Sequence, residues 1–437
     1  MGLKLNKRDF LKIFLALFIV LPDYFTLGGI MATRALAMIF LVCWVIWDGK
    51  LKKVKADPST LLVVLVWGIV RIIVLLYHAD ISRAIVFTVT FFGIGYVIVT
   101  WVNTKERFLN IIDFLIGLSL IIGLLGIFEA ITQINVFAIF NNTGAVLNYN
   151  GARFGLVRII SFTYQTINYC LFCAIMECLV CYRLSMAREK REKKFLKLCY
   201  FVLLFNMLLT LSRSILICFI AAQLIMWHRQ GMVRLVKRVL FVSLTVFIIT
   251  VIWSFFTDKS NNLVLQIIYM LLAIFDDSFA SKMASNWGAE DTDGIGFRVI
   301  LYEWVWEKSK GNLLFGVGER VPFVYEYDLT DGTYFWSTTK NQIEVNHLHL
   351  LYHYGILSTI LEVIMYLYIC VKGLILSLKR RAVWESKLNF NFIIFVIFAM
   401  DIASWVAVNQ GKEFTLLYIA MFLWAAYNGH RLYEEQI

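Results

Sequence analysis

The chain has 437 residues, of which 60% are hydrophobic and only 16% are charged, with a mean hydropathy of +0.74 and a formal net charge of +11. Soluble domains carry about 25% charged residues, so this composition excludes an ordinary soluble protein and indicates that a lipid bilayer solvates much of the surface. The apolar runs do not alternate with polar residues as the strands of a transmembrane β-barrel do.

Twelve stretches approach the length of roughly 17–25 apolar residues that a helix needs to cross a bilayer. They predict an all-α polytopic membrane protein. In chain order they are Phe10–Leu27, Met31–Trp47, Thr60–Tyr77, Ala84–Val102, Phe108–Ile131, Thr166–Tyr182, Phe195–Leu211, Ser214–Trp227, Val239–Phe256, Leu348–Val371, Phe390–Val408 and Phe414–Tyr427.

Basic residues cluster in every second connection between these stretches. About two thirds of the 41 lysines and arginines fall in segments that are cytoplasmic if the N-terminus lies inside. This regularity predicts about twelve transmembrane helices with both termini cytoplasmic. It also makes the positive charge a topology signal and a contact with anionic membrane lipid. We therefore expect no nucleic-acid partner.

The same pattern predicts three regions. Residues 1–256 hold helices 1–9 and a smaller external loop at about 132–165; residues 257–346 form one large external loop; and residues 347–437 hold helices 10–12. The large loop has thirteen acidic residues against seven basic ones. It is expected to contain short helices, because its apolar run Leu263–Phe275 is too short to span and suits an interfacial or re-entrant helix.

Four arginines are predicted to lie on the external side near membrane level: Arg153, Arg158, Arg213 and Arg298. An arginine at membrane depth is expensive and usually functional, and its planar fork binds phosphate with two hydrogen bonds. If these side chains face one cavity, they suit a lipid-linked pyrophosphate. The alternative for each is an interfacial side chain or an ion pair.

Three of the six histidines fall between Glu344 and Gly355, where the large loop meets the tenth predicted helix. His347 is nearest to the loop and can accept a proton from a sugar hydroxyl, because the pKa of histidine lies near neutral pH. Glu344 can take the same role, and the choice between them stays open. His349 and His353 share a helix face, but no third ligand is evident, so we predict no metal site.

Other polar residues lie within the apolar stretches. Arg71 and Asp113 are predicted to pair inside the bundle, since charged groups at this depth usually neutralise one another.

Four segments together resemble the O-antigen polymerase and O-antigen ligase superfamily. The resemblance covers roughly residues 150–370, while the first four helices match in hydropathy only. The segments are Arg158-Ile-Ile-Ser-Phe-Thr-Tyr-Gln-Thr-Ile-Asn168; Leu211-Ser-Arg-Ser214; Arg298-x5-Trp304-x-Trp306 followed by Leu314-Phe-Gly-Val-Gly318; and His347-Leu-x2-Leu-x3-Gly355. Many members have His-Asn eleven residues before this glycine, where the chain has Glu344-Val345.

The resemblance implies a GT-C-like, inverting, metal-independent glycosyltransferase without a cofactor in the bacterial inner membrane. Its donor would be an oligosaccharide on undecaprenyl pyrophosphate. Arg153, Arg158, Arg213 and Arg298 would hold the pyrophosphate, and His347 or Glu344 would deprotonate the acceptor hydroxyl. In a polymerase, the preferred interpretation, the acceptor is another lipid-linked repeat unit. The alternatives are a ligase that transfers glycan to lipid A–core and a lipid-linked oligosaccharide flippase. Whether a chain-length regulator is a further partner stays open.

Overall fold

The computed structural model describes residues 6–27, 30–49, 52–144, 158–163, 165–256, 263–272, 295–330, 335–340, 343–379, 384–408 and 413–432, and within these ranges the chain is mostly helical. The helices are α1 Lys7–Val20, α2 Ala32–Asp48, α3 Pro58–Tyr77, α4 Ile81–Phe87, α5 Ile94–Trp101, α6 Lys105–Thr132, α7 Thr166–Met186, α8 Lys190–Thr210, α9 Arg213–Gln230, α10 Met232–Phe256, α11 Leu263–Leu272, α12 Ile295–Ser309, α13 Asn346–Lys379, α14 Phe390–Ser404 and α15 Glu413–Gly429. The strands are β1 Thr26–Leu27, β2 Ile30–Met31, β3 Tyr325–Thr330 and β4 Phe335–Lys340.

Each of the twelve predicted apolar stretches overlaps a helix; a π-helical turn at Thr88–Gly93 joins α4 to α5, which together form the fourth, whereas the first stretch, Phe10–Leu27, is helical only as far as Val20. Several helices are therefore able to cross a membrane. In the described ranges, six are both long and apolar enough: Pro58–Tyr77, Ile81–Trp101, Lys105–Thr132, Thr166–Met186, Met232–Ile252 and Asn346–Lys379. The full count of twelve crossings stays a prediction.

Local sequence signals set several helix ends. The Asp57 side chain accepts a hydrogen bond from the Thr60 N–H at 2.9 Å, and Pro58 follows it in the first turn of α3; both are favoured at a helix start. Thr104 caps α6 in the same way. Gly49 ends α2 with a φ of +67°, the left-handed conformation that glycine adopts without strain.

Helix α7 lies at the centre of the bundle, packed against α6, α8, α9, α14 and α15. In α7, 72% of the most apolar stretch is buried, whereas in α10 none is, although α10 has a mean hydropathy of 2.3 over that stretch. An apolar helix that the protein itself leaves uncovered needs an apolar solvent. The two helices thus represent the protein-facing and lipid-facing extremes of one membrane-embedded fold.

Helix α13 packs along α14 and α3 and changes direction at Gly355, whose φ of 76° and ψ of 176° are not helical. Its first residues lie beside the end of α3 and the start of α4, against the segment 313–321. We call this part of the molecule the His347 end of the bundle.

The segment between α10 and α13 differs from its prediction in one respect. We expected short helices, and α11 and α12 are present, but β3 and β4 also form an antiparallel hairpin in which Tyr327 faces Thr338 and Leu329 faces Trp336. In β3 the aromatic residues Tyr325 and Tyr327 alternate with acidic ones, and β4 is rich in aromatic and β-branched residues, which favours extended structure over helix. The sequence analysis did not predict this hairpin.

Candidate functional site

The third and fourth segments of the resemblance form one hydrogen-bonded unit at the His347 end. The Val317 N–H donates to the Tyr352 carbonyl at 2.8 Å, the Gly318 N–H donates to the His353 carbonyl at 3.0 Å, and the Ile356 N–H donates to the Leu313 carbonyl at 2.8 Å. These bonds satisfy backbone groups that the bend in α13 frees. Two stretches that are far apart in sequence are thereby held as one structural element.

Two glycines make this close approach feasible. Gly316 has a φ of +70° and Gly355 a φ of +76°. A Cβ atom on Gly355 would lie 2.3 Å from the Leu314 carbonyl oxygen, and one on Gly316 would lie 2.6 Å from the Gly355 nitrogen. Any side chain would push the backbones apart, so both positions require glycine. The glycines of the third and fourth segments therefore have a packing role with each other.

His347 lies in the first turn of α13, and its Nε2 atom is 2.5 Å from the Tyr302 hydroxyl of α12. An apolar cluster holds α12 against this turn; it consists of Leu301, Val305, Phe323, Ile343, Val345, Leu348 and Tyr352. The Asn346 N–H donates to the Trp405 carbonyl at 2.9 Å and fixes the helix start. The imidazole is thus oriented by a hydroxyl group on a packed neighbouring helix, and His347 is partly exposed. Glu344 lies three residues earlier and is partly exposed.

Arg298 belongs to α12, one helical turn before Tyr302, so both residues occupy the same face of that helix. The Arg298 side chain lies outside the described part of the structure, and so does Arg153. The pyrophosphate-binding role of both stays a prediction.

Arg158 joins the first segment of the resemblance to the second. Its Nε donates to the Thr210 carbonyl at 2.9 Å and its Nη2 donates to the Ser212 hydroxyl at 3.3 Å. These groups form the turn between α8 and α9, where Leu211 has a φ of +51° and leaves carbonyls without helical partners. Arg213 is the next residue along this turn, the first of α9, and is partly exposed. The buried Arg158 therefore positions the turn that carries Arg213.

Glu129 anchors the first segment from the other side. Its carboxylate accepts hydrogen bonds from the Ile160 N–H at 3.1 Å and the Ser161 N–H at 2.9 Å, although it belongs to α6. A buried carboxylate is stabilised only when it is hydrogen-bonded in this way. The sequence places this glutamate at the end of an apolar stretch, and the structure gives it a positioning role.

The structure also reveals three arginines that the sequence analysis did not assign to a site. Arg34 at the start of α2, Arg71 in α3 and Arg83 in α4 line one cavity of about 320 Å³ at the His347 end. A signal was available in the sequence: in the predicted topology, all three lie in the external halves of consecutive helices. The resemblance does not cover these helices.

Ion pairs connect the wall of this cavity to the glycine-rich segment. Arg83 pairs with Glu319 at 3.0 Å and with Asp80 at 3.2 Å, and Arg320 pairs with Asp80 at 3.1 Å. Burial by itself would raise the pKa of Asp80, but the hydrogen bond from Arg320 and the charge of Arg83 lower it below its ordinary value. The His78 ring contacts the Phe315 carbonyl at 3.0 Å. The turn between α3 and α4 is therefore tied to residues 315–320.

One predicted ion pair was wrong. Arg71 pairs with Glu362 at 3.4 Å, whereas Asp113 pairs with Arg183 on the neighbouring helix α7, with contacts of 2.5 and 3.0 Å. Hydropathy identifies a helix but does not fix its rotation, so the pairing between helices could not be read from the sequence.

We compared the chain with known proteins. Neither the models of known protein families nor the curated proteins match this chain.

Proposed function

We propose that the chain is a GT-C-like membrane glycosyltransferase of the bacterial inner membrane that polymerises undecaprenyl-pyrophosphate-linked oligosaccharide repeat units into a surface polysaccharide. One observation carries this proposal. The two segments that the resemblance assigns to the active site, residues 298–318 and 347–355, are joined by backbone hydrogen bonds next to the His347–Tyr302 contact. A catalytic base and the loop that orients sugars need such a rigid junction.

The topology that goes with this function has twelve crossings, both termini in the cytoplasm and the His347 end outside. The positive-inside pattern supports it. Arg183 and Lys372 lie toward the other end of the bundle, where Lys372 pairs with Asp57 at the start of α3 and Arg183 lies at the end of α7. Lipid-linked repeat units on the outer face would then reach His347 and the acidic loop.

In the mechanism we propose, the acceptor hydroxyl attacks the anomeric carbon of the donor directly, and the pyrophosphate leaves with the bonding electron pair. This single displacement inverts the anomeric configuration. His347 takes the acceptor proton on Nδ1, which carries the lone pair in the tautomer whose Nε2–H donates to the Tyr302 hydroxyl oxygen. Glu344 is the alternative base. Arg153, Arg158, Arg213 and Arg298 are the predicted stabilisers of the charge on the leaving pyrophosphate.

The test uses the purified full chain in nanodiscs with its lipid-linked repeat unit as donor and acceptor. Wild type is compared with His347→Ala and Tyr302→Phe, and with His228→Ala as a control histidine from the last turn of α9. Each is assayed with and without EDTA. We expect wild type and the control to form a glycan ladder in EDTA, His347→Ala to form none, and Tyr302→Phe to lower kcat more than KM.

Two results would reject the polymerase. If wild type forms no ladder but transfers the glycan to added lipid A–core, the chain is a ligase. If the repeat unit is moved across a vesicle membrane without any new glycosidic bond, the chain is a flippase. A ladder that survives in His347→Ala but disappears in Glu344→Gln would instead move the base to Glu344.

A further inference from the structure

The cavity lined by Arg34, Arg71 and Arg83 has features of a binding site, and these three arginines lie outside the four segments above. Three guanidinium groups from α2, α3 and α4 border a space of about 320 Å³. Charged groups so near the membrane are costly unless something compensates them. The question is which of their N–H groups the protein itself already uses.

Arg34 is partly buried, and no ion pair or hydrogen bond joins its side chain to another residue in the described ranges. Arg71 is 7% exposed. One of its five N–H groups bonds to Glu362, at 3.4 Å, and its guanidinium stacks on the Tyr354 ring with 3.1 Å from Cζ to the ring centroid. Among the described residues, the cavity therefore contains a buried arginine with several unused donors and a second arginine, Arg34, without a hydrogen-bond or ion-pair partner.

Carboxylates do not cancel this positive charge completely. Asp23 and Glu319 also line the cavity, which leaves the lining with three arginines against two carboxylates. Glu319 is engaged by Arg83 at 3.0 Å. Planar guanidinium groups that converge on one space suit the oxygens of a phosphate or pyrophosphate group.

An aromatic slot continues from this cavity into the bundle. A second cavity of about 100 Å³ shares Phe18, Phe87, Thr90 and Tyr418 with the first. Its remaining lining is mainly apolar and consists of Phe91, Ile94, Thr415, Ile419 and Phe422. A cationic chamber that leads into an apolar slot matches an amphipathic ligand with an anionic head and a hydrocarbon tail.

We infer that the Arg34–Arg71–Arg83 cavity binds the phosphate or pyrophosphate group of a polyprenyl lipid, with the first part of the hydrocarbon chain in the aromatic slot. The identity of the lipid as a substrate rests on the proposed function. A polymerase joins two lipid-linked units and so needs two anion sites. Arg158, Arg213 and their segment are candidates for one, and this cavity provides the other.

Glu362 is the positioning residue of this site. It is fully buried, and its Oε2 atom accepts bonds from Arg71 at 3.4 Å and from the Trp67 indole N–H at 3.2 Å. The indole fixes the carboxylate, and the carboxylate fixes the guanidinium at the cavity wall. Arg71 thus reaches the ligand in a preset orientation.

The test measures binding of a fluorescent polyprenyl pyrophosphate to the full chain in neutral nanodiscs. The competitors are inorganic pyrophosphate, phosphatidylglycerol and unphosphorylated polyprenol. Arg34→Gln is the main variant, because Arg34 has no partner in the described structure whose loss would unfold the protein. Arg188→Gln, an exposed arginine before α8, is the matched control. Thr90→Leu narrows the junction of the two cavities.

We expect Arg34→Gln to weaken binding about tenfold, as the loss of one charge-assisted hydrogen bond does, and Arg188→Gln to leave it unchanged. Thr90→Leu should weaken binding of the lipid but not binding of inorganic pyrophosphate. The inference is overturned if Arg34→Gln binds like wild type or if polyprenol competes as well as the phosphorylated lipid. If phosphatidylglycerol competes as well as the polyprenyl pyrophosphate, the assignment to a lipid-linked substrate is overturned, and the cavity binds the headgroups of bulk membrane lipids instead.

The ladder assay separates this inference from the proposed function. If the wild type forms no ladder but binds the lipid, and Arg34→Gln fails to bind it, the site is supported and the polymerase is rejected. If Arg34→Gln binds the lipid and forms the ladder as wild type does, the site is rejected and the polymerase is supported.

Discussion

Replacing Gly355 by alanine should disrupt the junction between the glycine-rich segment and α13. Gly355 has a φ of 76° and a ψ of 176°, a region that only glycine occupies without strain, and the strain costs about 1–3 kcal/mol. The new Cβ would lie 2.3 Å from the Leu314 carbonyl oxygen, so the backbones must separate. Weakening the three backbone hydrogen bonds between these segments adds about 0.5–1.5 kcal/mol for each. The total expected loss in the free energy of unfolding is about 2.5–7.5 kcal/mol.

The measurement is thermal unfolding of the purified protein in detergent, monitored by tryptophan fluorescence. With an unfolding entropy of about 2 cal/mol/K per residue, 1 kcal/mol corresponds to roughly 1 °C for 437 residues. We expect Gly355→Ala to melt about 3–8 °C below wild type. Gly117→Ala is the control, since its Cβ meets open space within α6 and alanine favours a helix by up to about 1 kcal/mol. If both variants melt at or above the wild-type temperature, the glycine contact does not exist as described.

Three further predictions test individual side-chain contacts. Arg158→Lys should lower stability by about 1–2 kcal/mol, measured by the same melting assay, because one ammonium group cannot hold both acceptors of the α8–α9 turn; a wild-type melting curve would contradict this. Glu362→Gln should weaken polyprenyl pyrophosphate binding while Trp67→Phe has a smaller effect, because the charge that orients Arg71 is lost only in the first; equal effects would reject the orienting role. Burial alone would raise the pKa of Asp57, but the hydrogen bonds from Lys372 and Thr60 lower it to about 2. Because the pKa is lower in the folded state, the Asp57 carboxylate stabilises the protein above pH 3.8, the unfolded value, and this contribution disappears as the pH falls toward 2. Between pH 5 and 2, wild type should therefore lose about 1 kcal/mol more of its free energy of unfolding than Asp57→Asn does. Parallel pH profiles of the two proteins would refute this.

The helices were predictable because each depends on a continuous apolar run. The boundaries of α3 and α7 fall within a few residues of the predicted stretches, Thr60–Tyr77 and Thr166–Tyr182. The hairpin was not predicted because six-residue strands within an acidic loop produce a weak periodic signal. Length and hydropathy identify membrane helices far better than they identify short extended segments.

The candidate site was only partly predictable, for a different reason. The spacing of Gly316 and Gly355 did not reveal that the two residues touch, because contact depends on how α13 bends. Arg71 was recognised as unusual but was assigned to Asp113, since the sequence does not give the rotation of α3 about its axis. Arg34 and Arg83 needed the three-dimensional arrangement of the first four helices to become a group.

The glycine junction and the arginine cavity are mechanically connected, which extends the expected effect of the Gly355→Ala variant. The segment that bonds to α13 through Val317 and Gly318 continues directly into Glu319 and Arg320, which hold Arg83 and Asp80. Displacing this segment must therefore move the partners of Arg83 at the cavity wall. Binding of polyprenyl pyrophosphate should weaken in Gly355→Ala even though no atom of residue 355 lines the cavity. The proposed polymerase would require coupling of this kind, because one rigid element would have to position both the acceptor lipid and the proposed base, His347.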